Sequence, residues 1–390
     1  MVPSRIYLAP GMFGFARLAS FEYFEHVVRA IEERFRLHGR RAEVHVCEVH
    51  PTSSVRRRAA KLARMVADTA AADGGPIHLV GHSTGGLDGR LVTSPTAHLG
   101  EGAPLGWTDR IHSVTTINTP HYGTPLAAFF ATVSGQRLLY AVSALTVAAL
   151  KLGAPPLAAT SALVAAFGRV QLDRFEIEVV DRAVESTIRV LDEASNRELR
   201  AWLKLLRDDQ GGIVQLMPEA MDLFHAGVED RAGVRYQSVA TFAPARNAHD
   251  WIGTLKSPWG ALSATIFALL YNITARHDPR YPCSPPDGSA ERRVRALLGQ
   301  EPPADASDGI VPLYSQVYGD LIWVGRADHL DIVGHFPGPG GHTDWMSSGA
   351  QFTRVRFDVV MDRIVDGMLL AEDQRAAAKS PGARVTPASP

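Results

Sequence analysis

Gly81-His82-Ser83-Thr84-Gly85 is the stretch of this 390-residue chain best equipped to do chemistry. The apolar run at 77–80 reads as a buried strand and the residues beyond it as a helix. The pentapeptide between them fits the G-x-S-x-G turn that lifts a serine above the end of a parallel sheet. Its glycines have a steric purpose. A strand turning at once into a helix forces the serine into a strained backbone conformation and leaves no room for a Cβ on either side. A serine hydroxyl is a poor nucleophile at neutral pH, so it needs a histidine to take its proton and a carboxylate to orient that histidine. In this kind of turn the chain order is serine, acid, histidine.

The partners are therefore sought in the last third of the chain. Asp308, in Ser307-Asp308-Gly309-Ile310-Val311-Pro312, lies in a polar loop beside a glycine that permits a sharp turn. An ordinary turn aspartate would look the same, and Asp305, Asp320 and Asp328 are rivals. Three histidines follow: His329, His335 and His342. His329 comes a few residues after the strand-like run 321–324, where a loop brings it over the C-terminal edge of a sheet. The other two border a Gly/Pro-rich segment, 334–341, that reads as surface loop. Acyl transfer also needs backbone donors for the tetrahedral oxyanion. Thr84, next after the serine, supplies one N–H. Met12, in the loop Gly11-Met12-Phe13-Gly14 after the first strand, supplies the other. That loop lacks the G-x-G-x-x-G spacing of a dinucleotide site.

The elements that must position these residues alternate. Strands read at 5–8, 42–49, 77–80, 110–118, 234–241 and 321–324, with helical periodicity at 21–38, 54–72, 259–273 and 352–370. Such alternation predicts an α/β fold with a mostly parallel central sheet flanked by helices. The rhythm breaks at 126–225. Residues 126–170 are crowded with Ala, Leu, Val and Phe. Residues 176–208 form an amphipathic stretch, with a break where Ser195 and Glu198 have capping-box spacing. The expected organisation is a first core part at 1–125, a helical lid or cap insertion at 126–225, a second core part at 226–372 and a disordered tail at 373–390.

Composition bounds the function class. With 46% hydrophobic and 21% charged residues this is an ordinary globular chain. A formal net charge of −1 gives no reason to expect nucleic acid or an anionic membrane as partner. The basic run Arg56-Arg57-Arg58, with Lys61 and Arg64, reads as a solvated helix face. Two cysteines, Cys47 and Cys283, make no disulfide framework and have no metal-ligand spacing. No apolar stretch is long enough to span a bilayer. Met1 leads straight into a strand without a signal-peptide pattern. The expectation is a cytoplasmic protein, or a secreted one from which the leader has been removed.

Four motifs together resemble the bacterial true lipases (triacylglycerol lipases) of the α/β-hydrolase superfamily, over most of the chain except the insertion. His82-Ser83-Thr84-Gly85-Gly86-Leu87-Asp88-Gly89-Arg90 is similar to the nucleophile signature with its Leu-Asp-x-Arg extension. Thr119-Pro120-His121-Tyr122-Gly123-Thr124-Pro125 is similar to the Thr-Pro-His-x-Gly motif before the lid. Ser307-Asp308-Gly309 resembles the acid motif and His329-Leu330-Asp331 the histidine motif. The resemblance implies an α/β-hydrolase fold, the triad Ser83, Asp308 and His329, and an oxyanion donor at Met12. It makes His82, Asp88 and Arg90 supports of the turn. No cofactor is required, but calcium-binding members imply a structural Ca2+ on Asp331, with Asp287 the nearest second carboxylate. Two departures stand out: Pro10-Gly11 replaces His-Gly, and Tyr314 stands where a disulfide cysteine would be.

The function expected is hydrolysis of carboxylic esters with medium or long acyl chains through an acyl-enzyme. The substrate is then a lipid or ester, and the insertion a lid in transient contact with a lipid interface or a fixed cap. A polyester depolymerase or an acyltransferase on the same triad, and a non-catalytic lipid-binding protein, are the alternatives.

Overall fold

The computed structural model describes residues 2–12, 23–70, 72–100, 103–133, 135–141, 185, 189, 191–244, 258–276, 278–338, 344 and 346–379. Most of the apolar segment 142–190, His342, and the tail beyond 379 lie outside the described residues.

Six strands, β1 (Ser4–Ala9), β2 (Ala42–Val46), β3 (Ile77–His82), β4 (Ile111–Ile117), β5 (Arg235–Phe242) and β6 (Asp320–Arg326), form one sheet in the order β2-β1-β3-β4-β5-β6. Every adjacent pair is parallel. The α/β expectation therefore holds. The central strands are apolar because both faces are covered: β1 and β3 are buried along their whole length. From β1 the chain steps outward to β2, then returns past β1 to β3 and proceeds the other way. The order thus reverses between β1 and β3, and the crevice above their carboxyl ends is where such sheets bind ligands.

Helices α1 (Glu25–Leu37), α2 (Val55–Thr69) and α3 (Thr84–Thr93) connect the first strands. In the insertion, α4 (Pro125–Phe130), α5 (Glu193–Asp208), α6 (Gly211–Gln215) and α7 (Pro218–Gly227) are described; α8 (Pro258–Thr274), α9 (Ser289–Leu298) and α10 (Arg354–Lys379) complete the chain. One face of the sheet packs Val27, Ile31 and Phe35 of α1 with Phe357, Ile364 and Met368 of α10. The other packs Ala59, Leu62, Ala63 and Val66 of α2 beneath Leu79 and Val114. A further apolar cluster joins Leu126 and Phe130 of α4, Ile213 of α6 and Phe267 of α8 to Met12 and Leu87. The insertion thus shares its core with the loops at the sheet's C-terminal edge.

Three boundaries differ from the sequence expectation. The helix starting near 193 is capped by Asp192, which accepts from the Ser195 N–H at 2.9 Å and the Ser195 hydroxyl at 2.7 Å. The break falls three residues before the expected one, because the Asp192 carboxylate, not the Ser195 hydroxyl, takes the capping role. α9 replaces an unassigned stretch. α10 continues to Lys379, so residues 373–379 are helix, not tail. Glu372 explains the extension. Its carboxylate accepts from Ser4 Oγ at 2.6 Å, lies 3.0 Å from His78 Nε2 and meets Arg40 Nη1 at 2.5 Å. That pins α10 to β1, β3 and the α1–β2 turn.

Burial alone would raise the Glu372 carboxyl, but hydrogen bonding and charge from His78, with Ser4 and Arg40, hold it at about 2. A depressed acid stabilises the fold above its ordinary 4.5 and loses that contribution as pH falls toward about 2. Glu372→Gln is expected to lower stability at pH 7 by about 1–3 kcal/mol and to flatten the acid limb of the stability curve in that window. Urea denaturation across pH checks both.

Candidate active site

At the end of β3 the chain turns through Ser83 at φ 55° and ψ −129° into α3. Positive φ in a non-glycine residue costs about 1–3 kcal/mol and persists only where surrounding contacts enforce it. Here the Ser83 N–H donates to Ile117 O at 2.8 Å. A Cβ on Gly81 would lie 2.2 Å from Gly85 backbone, and one on Gly85 2.0 Å from Ala9 O. The elbow can be this tight only with glycine at both places. Ser83 also sits at the N-terminal end of α3, where backbone N–H groups favour negative charge.

Asp308 and His329 are brought together directly. His329 Nδ1 lies 2.7 Å from Asp308 Oδ2, with both side chains buried. Asp308 Oδ1 accepts from the N–H groups of Ile310 at 2.9 Å and Val311 at 2.7 Å, and the His329 N–H donates to Asp308 O at 3.0 Å. The carboxylate is thereby fixed from both sides. Gly309, at φ 94°, allows the acid loop to pack on Phe267 of α8. The imidazole of His329 lies 4.6 Å, centroid to centroid, from that of His82, the residue before Ser83.

His82 ties the elbow to the base. It is fully buried, with Nε2 2.8 Å from His329 O and Nδ1 2.6 Å from Tyr23 Oη. A carbonyl can only accept, so Nε2 carries the proton and Nδ1 accepts from the tyrosine. Burial, then the charge of His329, holds the His82 pKa well below its ordinary value. The ring is neutral and fixed in one tautomer.

The oxyanion loop lies against the serine. A Cβ on Gly11 would approach Ser83 Cβ to 2.6 Å and Oγ to 3.1 Å, so glycine lets this loop reach Ser83. Met12 and Thr84 line the same small cavity as Ser83, about 20 Å³ in volume and roofed by Leu126, Phe130, Ile213 and Leu216.

Arg58 corrects the reading of the basic run. It is fully buried, not solvated. Its guanidinium lies 2.8 Å from Asp88 Oδ2, donates to His50 O and Pro51 O at 3.2 Å, and donates to Pro10 O. One side chain on α2 thus fastens the loop after β1 to the helix that follows Ser83. Burial raises the Asp88 carboxyl to about 6 against the opposing pull of Arg58. A signal was present in the sequence: Arg58 falls within the apolar stripe Val55, Ala59, Leu62, Val66 of its helix. Tyr23 left no comparable mark. Arg90 and His121, from two separate motifs, also meet: Arg90 Nη1 is 3.2 Å from His121 Nδ1, and the Arg90 guanidinium stacks 3.6 Å over Tyr318.

The rivals have other work. Asp320 is exposed and pairs with Arg235 at 2.9 Å; Asp305 is half-buried. Asp328 accepts from the N–H groups of Leu330 and Asp331 at 3.0 Å, while Asp331 accepts from the Asp328 N–H at 2.9 Å. This reciprocal cap shapes the turn that presents His329. Burial and then the charge of Asp344 push Asp328 up to about 8, and burial and then Asp328 raise Asp331. Asp287 does not join them. It lies exposed at the start of α9, accepting from the Ser289 N–H at 3.0 Å, and its surrounding charge is Arg292. The two carboxylates expected to share a calcium ion are therefore not assembled. Among the described residues no group of three or more His, Cys, Asp or Glu could hold a metal ion. Cys47 and Cys283 are free and buried.

Comparison with known proteins agrees with this architecture. The chain is 32% identical over 123 residues to a triacylglycerol lipase of Vibrio cholerae, a stretch that is 31% of this chain and 34% of that lipase. The match thus spans about a third of the relative's length. Staphylococcus hyicus lipase superposes with a TM-score of 0.51 at 15% identity, covering 96% of this chain and 97% of that one. Lipase 1 from Pelosinus fermentans gives 0.50 at 15% identity, covering 94% and 99%. These structural likenesses show the fold, which is that of the α/β-hydrolases. No protein-family model matches the chain.

Arg58→Lys keeps a charge for Asp88 but loses the planar fork. It is expected to lower the rate of labelling of Ser83 by a serine-directed phosphonate about tenfold or more. Arg58→Met, which strands Asp88, is expected to destabilise the fold by about 3–5 kcal/mol. Labelling kinetics and urea denaturation separate the two effects.

Proposed function

We propose that this chain, an α/β-hydrolase related in sequence to a bacterial triacylglycerol lipase, is a serine hydrolase of carboxylic esters with medium or long acyl chains. The observation that carries the reading is the buried Asp308–His329 pair at 2.7 Å, with the His329 ring 4.6 Å from that of His82, the residue before a serine held at positive φ. Ser83 Oγ attacks the ester carbonyl as His329 takes its proton. Asp308 keeps the imidazole in the tautomer whose Nε2 can accept, and the N–H groups of Met12 and Thr84 receive the oxyanion. The protonated His329 then gives its proton to the departing alcohol, leaving an acyl-enzyme. Water, activated by the same histidine, releases the acid.

The preference for long chains is supported by the roof of the cavity. Leu126, Phe130, Ile213 and Leu216 present a purely apolar surface to whatever is bound at Ser83. At about 20 Å³ the cavity admits one water-sized body, so α4 and α6 must part for an ester to enter. We take the insertion to be a lid on this ground. Val133, Leu205, Val214 and Leu223 are exposed on it and would be covered at a lipid–water interface. A roofed site of this kind suits a discrete acyl chain better than the open, shallow cleft that a solid polyester requires. Among the described residues no helix is long and apolar enough to cross a membrane.

Hydrolysis of p-nitrophenyl esters from two to sixteen carbons tests the reading. Activity is expected to rise toward the longer chains, to vanish in Ser83→Ala and to fall about 10⁴-fold in Asp308→Asn. Activity confined to the acetate would reject the long-chain assignment. Full activity in Ser83→Ala would reject the mechanism.

A further inference from the structure

Thr84 carries a hydroxyl that the mechanism has not used. The residue is wholly buried, and its Oγ1 has no hydrogen-bond partner among the described residues. It lies at the first position of α3 and lines the cavity that Ser83 and Met12 also line. A buried hydroxyl left without a partner is a net cost to the folded state. A valine would have nearly the same shape without that cost, so the oxygen burdens the resting fold.

We propose that the Thr84 hydroxyl is a third oxyanion donor, completing its hydrogen bond only when an ester reacts at Ser83. The inference rests on the serine-hydrolase reading and adds a side-chain group to the two backbone N–H donors. As Ser83 Oγ forms its bond to the carbonyl carbon, the π pair of the C=O moves onto oxygen and the Ser83 proton passes to His329. The new negative charge is met by the N–H groups of Met12 and Thr84 and by the Thr84 O–H. When the carbonyl re-forms, the alkoxide leaves with the proton from His329 and the hydroxyl relaxes its hold. A donor that strengthens its bond only as charge develops raises kcat more than it lowers KM. Threonine suits the place because its branched Cβ restricts the hydroxyl to few rotamers in the apolar surroundings.

The test compares wild type, Thr84→Val and Thr84→Ser on a p-nitrophenyl ester of medium chain, with thermal unfolding of each and inhibition by an alkyl trifluoromethyl ketone, whose adduct carries an oxyanion. Thr84→Val is expected to lose about tenfold to a hundredfold in kcat with KM within about threefold. It should bind the ketone at least tenfold more weakly and unfold at the wild-type temperature or above. Thr84→Ser, which restores the O–H, should recover most of the rate. If valine does not fit, Thr84→Ala carries the same kinetic expectation. A valine variant with wild-type kcat overturns the proposal, as does equal loss in Val and Ser, which would assign the effect to packing. A wild type inactive on every ester and unreactive toward a phosphonate probe at Ser83 would instead remove the serine-hydrolase reading, and this inference with it.

Discussion

The strained backbone of Ser83 is the constraint around which this molecule is built. A left-handed conformation in a side-chain-bearing residue is held here by contacts that leave no alternative. The Ser83 N–H is drawn to Ile117 O on β4, and the Gly81 and Gly85 backbones pack too closely for any Cβ. The sheet supplies the rigidity. β1 and β3 lie buried between the α1/α10 layer and the α2 layer, so the two strands flanking the reversal of strand order cannot shift to relieve the turn. Strain of about 1–3 kcal/mol is small against an apolar core in which each large buried side chain contributes about 1.5–3 kcal/mol.

The loops around the elbow are irregular and are fixed by buried polar groups, each tying two segments together. Arg58 joins the oxyanion loop to α3 through Pro10 O and Asp88. His82 joins the elbow to the loop of the base through His329 O, with Tyr23 setting its tautomer. Asp328 and Asp331 cap one another across the turn that holds His329. Buried charges and amides are costly without partners, and here the partners are carbonyls and N–H groups of neighbouring loops. The same groups that would destabilise the fold if left alone give the site its geometry. Arg58 also answers the departure in the oxyanion loop: with proline at position 10, that loop is held by its carbonyl from α2.

Above this polar floor the site is apolar. Leu126, Phe130, Ile213 and Leu216 close over Ser83 and share one core with Phe267 of α8. In the proposed mechanism, burying Ser83 under hydrocarbon lowers the local dielectric, which strengthens each hydrogen bond to the charge that develops there. The apolar cover and the residues around Ser83 thus share one packed cluster.

Much of this was legible in the sequence because it depends on local pattern. Alternating apolar runs gave the parallel sheet, and the glycines around Ser83 gave the elbow, since only a strand meeting a helix needs that spacing. Chain order and loop position made Asp308 and His329 candidates among rivals, and the motif resemblance singled them out. What the sequence could not decide was which partners the buried charges find. Arg58 sits in a run of basic residues and Asp328 beside a histidine; the apolar stripe of α2 points to burial of Arg58, but only the packing of α2 and of the β6 loop shows which partners the two side chains bind. The resemblance implied that Asp287 and Asp331 pair on a calcium ion, yet the fold leaves one in solvent and encloses the other with Asp328 and Asp344. The end of α10 was hidden for a similar reason: Glu372 holds the helix to β1 and β3 by contacts more than 290 residues away in sequence. Local periodicity is written along the chain, whereas the partner of a buried charge is set by which distant segments the sheet brings side by side.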